Sequence, residues 1–363
     1  MYLPADNIDR MATTIATHAD PSKVTAVFVG ANHAEDVVAL QIALRNAGIP
    51  FFGCVFPGLV VGGEVKTDGV LVQTLTMPHP PRVVSLEAED AIDLPLLPDG
   101  VATGLILYQA NSATAGGLLE QMYHAYSDAL NLIGGAGSNP LGGGAPALFD
   151  NDGTYNNAAI VGLLSNHCDI RIKHGFERER GPFIATRTTP NVIEELNWEP
   201  AQSVYTQALR DCGIEGLDPE HLIERAKQFP FGISCDGAED VVRTPIELGD
   251  GVIRCQGNVP EHSVVHVLYA TPERLIDASQ GLFSGVKPAS ADRCFVFLCR
   301  SRETVLGERF HEELSIVSAG ANRAVGNGQV AGVLAQGEIG SPGSTFPQLR
   351  NKTIVVGLLS SPS

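Results

Sequence analysis

Apolar and polar positions follow two spacings along this chain, and the spacings recur three times in the same order. Residues 25–75, 104–164 and 293–359 each open on a short apolar run: Val27-Phe28-Val29, Leu105-Ile106-Leu107-Tyr108 and Phe295-Val296-Phe297-Leu298. Helix-like spacing follows, then a glycine-rich segment, then a β-like run closing near a leucine, as in Val70-Leu71-Val72-Gln73-Thr74-Leu75. Repetition of this kind constrains architecture before any single motif does. It predicts three β-α-β-like units with their glycine-rich segments at equivalent points.

In the first unit, Val37, Val38, Leu40, Ile42 and Leu44 suit a helix over 37–47, stopped by Gly48 with Pro50 beyond. Phe51-Phe52-Gly53-Cys54 reads as a short strand entering a glycine loop. The second unit predicts a helix over 114–130, and its Leu132-Ile133-Gly134-Gly135 matches that strand and loop. Asp150-Asn151-Asp152-Gly153 is a turn between two β runs. The third unit predicts a helix over 305–317 and, after a Gly326-Asn327-Gly328 turn, a strand over 330–335. Between the second and third units, 169–189 alternates like a strand and 191–229 reads as helical with breaks at Pro200 and Pro219. Three short β runs (241–246, 251–254, 263–268) and a helix over 271–282 follow. The Asp-, Gly- and Pro-rich stretch 211–219 is the best domain boundary. The fold class expected is α/β, with mixed sheets flanked by helices and built from the repeats in two regions.

Composition narrows the function. A net charge of −17 argues against a nucleic-acid footprint and against an anionic membrane surface as partner. The first 20 residues carry Asp6, Asp9 and Asp20 without a long apolar core, unlike a secretory leader. The longest uncharged stretch, 129–149, is too rich in glycine to read as a spanning helix. Seven cysteines, an odd number with no C-x-x-C, read as reduced thiols of a cytoplasmic protein.

No phosphate loop, H-E-x-x-H helix or G-x-S-x-G elbow occurs. The glycines of 134–144 suit either close packing or a backbone cradle for a ligand. Gly63-Glu64 and Gly337-Glu338 end the glycine segments of the outer two units, each Glu either turn-bound or a polar anchor. Cys54 reads as a packed thiol more readily than a reactive one, having no base beside it in sequence. His262 and His266 lack a third ligand for a metal. His174 is either a structural histidine or a ligand to iron. Asp150–Gly153 lacks the downstream Glu of a calcium loop and reads as a hairpin turn.

Further landmarks complete the set. They are Ile133-Gly134-Gly135-Ala136-Gly137, His174-Gly175-Phe176, Glu194-Glu195-Leu196-Asn197 with Pro200-Ala201 and Tyr205, Cys299-Arg300-Ser301-Arg302, Gly337-Glu338-Ile339 and Asn351-Lys352-Thr353. In this order they resemble the FIST family of bacterial sensory proteins, over nearly the whole chain. The resemblance implies an N-terminal extension (1–22), a FIST N-terminal domain (23–212) and a FIST C-terminal domain (213–363). It implies cytoplasmic sensing of a small, amino-acid-like molecule. Output would pass through a separate histidine kinase or cyclic-di-GMP enzyme, since the chain ends four residues after Leu359. Neither nucleic acid nor membrane is expected as a partner. Cys54, Glu64, Gly134, Gly135, Gly137, Arg302, Gly337, Glu338 and Asn351 are the expected ligand-binding residues. Some members are haem-binding nitric-oxide sensors, which makes His174 the axial candidate of an alternative reading. A third reading is a hydrolase or lyase using Cys54 or Arg302 with a glutamate, for which no nucleophile–base pair is visible in sequence. Three departures from the family pattern stand out. Gly53–Gly58 is a stretched form of a compact Gly-Cys motif, Asn197 replaces an Asp, and Gln336 replaces a Tyr before Gly337-Glu338.

Overall fold

Each leading apolar run forms a strand covered on both faces, which is why it reads as continuous and not alternating. The computed structural model describes residues 1–87, 92, 94, 96–112, 114–142, 144–215, 219–235, 237–342 and 346–361. In the first unit, Val24–Gly30 lies parallel to Phe51–Phe56 and antiparallel to Val70–Leu75. The second unit repeats this with Thr103–Gln109, Asn131–Gly137 and Ala158–Leu164. The third does so with Arg293–Cys299, Gln329–Ala335 and Ile354–Ser360. Helices Val37–Asn46, Ala115–Tyr126 and Phe310–Val325 make the parallel crossovers.

Every unit's sheet is completed by a hairpin from another unit. The first gives Gly58–Val61 and Glu64–Lys66 to the third. The second gives Leu148–Asp150 and Thr154–Tyr155 to the first. The third gives Glu338–Ser341 and Leu349–Arg350 to the second. The exchange is therefore cyclic, and two of its three pairings tie residues more than half the chain apart.

Side chains alternate between two cores along these strands. Ala26, Phe28, Leu105, Leu107, Phe295 and Phe297 point to one shared central core. Their neighbours Val27 and Val29, Ile106, and Val296 and Leu298 point outward to three separate cores beneath the helices. Edge-to-face aromatic pairs join the units at the centre: Phe28 meets Phe56 at 5.7 Å and Phe295 at 6.2 Å. Each such pair adds about 0.5–1.5 kcal/mol beyond burial.

A fourth sheet stands apart from this trio, in the order Val241–Arg243, Phe231–Ile233, Val264–Tyr269, Glu177–Thr189, Val192–Leu196, Val252–Cys255 and Pro245–Gly249. Helix Ala201–Asp211 and the helix over 219–228 share its core. Two expectations change here. Residues 192–196 form a strand and not a helix, because their apolar side chains lie against the sheet. The stretch 211–219 links two helices of one packed layer and does not separate two layers; its residues 216–218 lie outside the described residues. The N-terminal 22 residues also belong to the fold. Tyr2–Leu3 pairs with Val70–Leu75, and helix Ile8–His18 buries Met11, Ala12 and Ile15 against the first sheet. Among the described residues, no helix is long and apolar enough to cross a membrane.

Candidate functional site

The threefold arrangement exposes one position that breaks it. Cys54, Gly135 and Val333 are equivalent: each pairs in the parallel ladder with an inward side chain, Phe28, Leu107 and Phe297 respectively. Across from them on the donated hairpins stand Leu148, Glu338 and Leu59. All three are 0% exposed. Two are leucines in the central core, and the third is a carboxylic acid. A bare carboxylate cannot stay ionised there without strong compensation. Burial pushes the Glu338 pKa well above the carboxylate range, and the Cys299 side chain adds to this through its charge and a hydrogen-bonding contact.

Polar groups surround it. The Thr353 N–H donates to Glu338 Oε2 at 3.4 Å, while the Cys299 N–H donates to the Thr353 carbonyl at 3.0 Å. Thr353 thus ties the end of one strand, which bears Cys299, to Glu338 in the neighbouring sheet. Cys299 Sγ lies 3.2 Å from Ser301 Oγ. Arg350 sits directly opposite Glu338 in the hairpin. Lys352 is buried in the left-handed region at φ 53°, its ammonium 6.0 Å from the centre of the Phe176 ring. Burial draws its pKa down to about 8. Arg243 is buried too, and burial draws it down to about 10. Its bonds go to the carbonyls of Asn258, Val242 and Leu349 and to Gln348 Oε1, with no carboxylate among them. Three buried atoms on adjoining residues have no aligned partner: Glu338 Oε1, Arg350 Nη1 and Asn351 Oδ1. Unsatisfied atoms are rare in a folded interior, which singles this cluster out.

Two cavities lie beside this cluster, one lined in part by Cys299 and the other in part by Asn351. One, of about 380 Å³, is lined by Cys299, Arg300, Ser301, Thr304, Gln256 and Gln336. The other, of about 200 Å³, has Tyr108, Asn111 and Ser112 on one wall and Gln256, Gln336 and Asn351 on the other. Gln256 and Gln336 belong to both, and Gln256 Nε2 donates to the Gln336 carbonyl at 2.9 Å, so the two form one cleft. A larger hollow of about 690 Å³ runs along helix Ala201–Asp211. None of the buried unsatisfied atoms among the described residues lines it. The smaller cleft is the better candidate because it has both space and an unpaired buried polar atom, Asn351 Oδ1, in its lining.

The structure scatters much of the set expected from sequence. Gly134, Gly135 and Gly137 are inside strand Asn131–Gly137 and not in a loop, with paired strands on both sides. A Cβ at Gly134 would lie 1.8 Å from the Ile106 carbonyl oxygen, one at Gly135 2.5 Å from the Phe297 ring, and one at Gly137 2.2 Å from Cys54 Sγ. Close packing, not a ligand, requires these glycines; Gly143 of the same segment lies outside the described residues. Glu64 is not the counterpart of Glu338. It follows a hairpin turn, its side chain is 70% exposed, and it pairs with Lys66. Cys54 is fully buried, and burial pushes its thiol far up, which makes it inert. Arg302 anchors structure. Nε and Nη2 bind Glu313, Nη1 donates to the carbonyls of His174 and Lys352, and Nη2 also reaches Leu275. All five of its N–H donors are engaged. Gly337 leaves room for the Tyr108 hydroxyl, which would be 2.6 Å from a Cβ there. Asn351 lines the cleft, whereas Glu338 is fully buried and lines neither cavity. Sequence reasoning missed Tyr108, Gln256, Cys299, Arg350 and Lys352. The available signal was an acid, Glu338, at a core-facing strand position.

Haem does not fit His174. Its Nδ1 accepts the Phe176 N–H at 2.9 Å, and its Nε2 faces Glu239 Oε2 at 3.1 Å, off the line of a hydrogen bond. The ring is buried against Phe176, and burial lowers its pKa to about 4. An axial ligand needs a nitrogen facing open space for the macrocycle, and neither nitrogen has it. Among the described residues, no group of three or more His, Cys, Asp or Glu could hold a metal ion.

Family models match this architecture. The FIST N domain matches residues 23–199, and the FIST C domain matches residues 201–341. No curated protein matches the chain.

Proposed function

Since the chain belongs to the FIST family, whose domains are associated with sensory and signal-transduction roles, we propose that it is a sensory module for a small polar molecule. The molecule would occupy the cleft between Tyr108, Asn111 and Ser112 on one side and Gln256, Gln336 and Asn351 on the other. One wall comes from the FIST N match, and the other largely from the FIST C match. A ligand touching both can bias their relative arrangement, which is the elementary requirement for a signal.

The observation that supports this reading is Asn351, which lines the cleft with a buried Oδ1 that has no partner, next to the unsatisfied Arg350 Nη1 and Glu338 Oε1 of the hairpin beside it. Donor and acceptor together suit a ligand with both polarities. An amino-acid-like molecule has them: a carboxylate for the Arg350 and Arg243 side and an ammonium for Asn351 Oδ1. The bound state would pass to a separate partner, a histidine kinase or a cyclic-di-GMP enzyme.

Thermal unfolding with a panel of free amino acids at millimolar concentration tests the reading. Some should raise the Tm, because a ligand that binds only the folded state stabilises it in proportion to RT ln(1 + [L]/Kd). Asn351→Ala and Glu338→Leu should abolish that rise while remaining folded. If no compound shifts the Tm, or if a shift survives both substitutions, the cleft is not the site.

A further inference from the structure

The about 200 Å³ cavity is built largely from one kind of side chain. Asn111, Asn191, Asn258, Asn351, Gln256 and Gln336 line it, together with the hydroxyl-bearing Tyr108 and Ser112. Among the described residues, no Asp, Glu, Lys, Arg or His lines it, in a chain where 18% of residues are Asp, Glu, Lys or Arg. Amides and hydroxyls facing a cavity disfavour a ligand that leaves them unpaired. They also give no counter-ion to a charge placed against them.

Bonds within the protein turn two of these amides one way. Gln256 Nε2 donates to the Gln336 carbonyl at 2.9 Å, and Asn351 Nδ2 donates to the Arg350 carbonyl at 3.1 Å. A carbonyl can only accept, so each bond fixes which end of the amide is nitrogen. The oxygens, Gln256 Oε1 and Asn351 Oδ1, are left as acceptors, and Asn351 Oδ1 is buried with no partner. Tyr108 has the opposite character. Its hydroxyl packs against Gly337, and burial pushes its pKa further up, so it stays protonated and able to donate. Behind the lining is Arg243, which is 2% exposed. It donates through Nε to the Asn258 carbonyl at 2.7 Å and through Nη1 to the Leu349 carbonyl at 2.8 Å, and both of those residues line the cavity. Its positive field favours a ligand's α-carboxylate and opposes a second positive charge.

We infer that this cleft selects amino acids with an uncharged amide side chain, glutamine or asparagine, over their acidic, basic and apolar counterparts. The inference rests on the sensory reading of the same cleft and narrows it. The ligand's side-chain NH₂ would donate to Gln256 Oε1, and its carbonyl would accept from the Tyr108 hydroxyl. Glutamate and aspartate put a second oxygen where the NH₂ would be, so lone pairs face each other at Gln256 Oε1. Leucine resembles asparagine in shape but leaves both protein groups unpaired. Lysine brings the charge that the Arg243 field opposes.

Isothermal titration calorimetry at neutral pH with glutamine, asparagine, glutamate, aspartate, leucine and lysine tests this. Glutamine or asparagine should bind tightest, by roughly 10-fold or more over each of the other four, because a site that hydrogen-bonds its ligand rejects analogues lacking the bond. Asn351→Ala should abolish the binding. Gln256→Lys, which replaces the acceptor by a charged donor, should reverse the order of glutamine and glutamate, with the Tm showing that the fold persists. A tightest ligand that is acidic, basic or apolar, and is lost in Asn351→Ala, would overturn the selectivity and leave the sensory reading standing. An unchanged order in folded Gln256→Lys would also overturn it. Should Gln256→Lys fail to fold, the order measured on the unaltered protein still decides. Binding of none of the six by the unaltered protein would remove the selectivity; if the wider thermal panel is silent too, the sensory reading falls with it.

Discussion

Replacing Lys352 with Met should stabilise the protein at neutral pH, and the gain should shrink as pH rises. The reason is the burial of an ammonium that is 1% exposed. Its pKa falls from 10.5 to about 8. At about 1.4 kcal/mol per unit, keeping it charged at pH 7 costs the fold roughly 3 kcal/mol. A contact with the Phe176 ring at 6.0 Å returns at most about 1 kcal/mol. Methionine matches the unbranched stem, can still pack on the ring, and leaves the φ of 53° unchanged. A net gain of roughly 2 kcal/mol is expected. The folded pKa is depressed, so the cost is fully present below about 8. It disappears as pH climbs towards 10.5, where lysine in the unfolded chain is also neutral. Urea denaturation at intervals between about pH 6 and about pH 10 measures this as a difference in midpoint at constant slope. A variant no more stable at pH 7, or an advantage that stays constant through the window, would refute the reasoning.

Three further outcomes follow from the packing. Gly134→Ala places a Cβ 1.8 Å from the Ile106 carbonyl oxygen and should cost about 3 kcal/mol or more, read as a large drop in Tm; a stable variant with impaired ligand response would restore the cradle reading. Arg302→Met should cost about 3–5 kcal/mol by leaving Glu313 buried and unpaired, and adding Glu313→Leu should recover part of that; strict additivity in denaturant titrations would show the pair is not coupled. Residues 1–200 and 201–363, made separately, should each lack cooperative unfolding, and mixing should restore it; either fragment unfolding cooperatively alone would show that the hairpin exchange is dispensable.

Much of the scaffold could be read from the sequence because it is local. The three apolar runs, the helices that follow and the Asn151–Gly153 turn depend on periodicity and turn chemistry within a few residues. What could not be read depends on distant partners. The glycines of 134–137 look like a loop until Ile106, Phe297 and Cys54 are placed against them. Arg302 looks like an available cation until the carbonyls of His174 and Lys352 are found on it. Glu64 and Glu338 both follow a glycine, yet register puts one at a solvent turn and the other at the position where the other two units carry leucine. The site is visible only once the units are superposed through their pairing, because its signal is a broken symmetry and not a motif.

The cyclic exchange of hairpins also sets a schedule. At roughly 5–20 residues per second, Ala335 leaves the ribosome roughly 15–50 s after Lys66. During that interval Gly58–Val61, with its run of Leu59-Val60-Val61, is paired only to Glu64–Lys66 and its other edge has no strand to join, because Gln329–Ala335 is not yet made. The first unit is less delayed, since its own missing hairpin arrives with Leu148–Asp150. The nascent chain therefore carries an unpaired apolar edge for most of its synthesis, and such an edge is a template for wrong partners. Slowing translation after residue 66 should lower the yield of native protein, whereas for a chain of independent domains it would raise it.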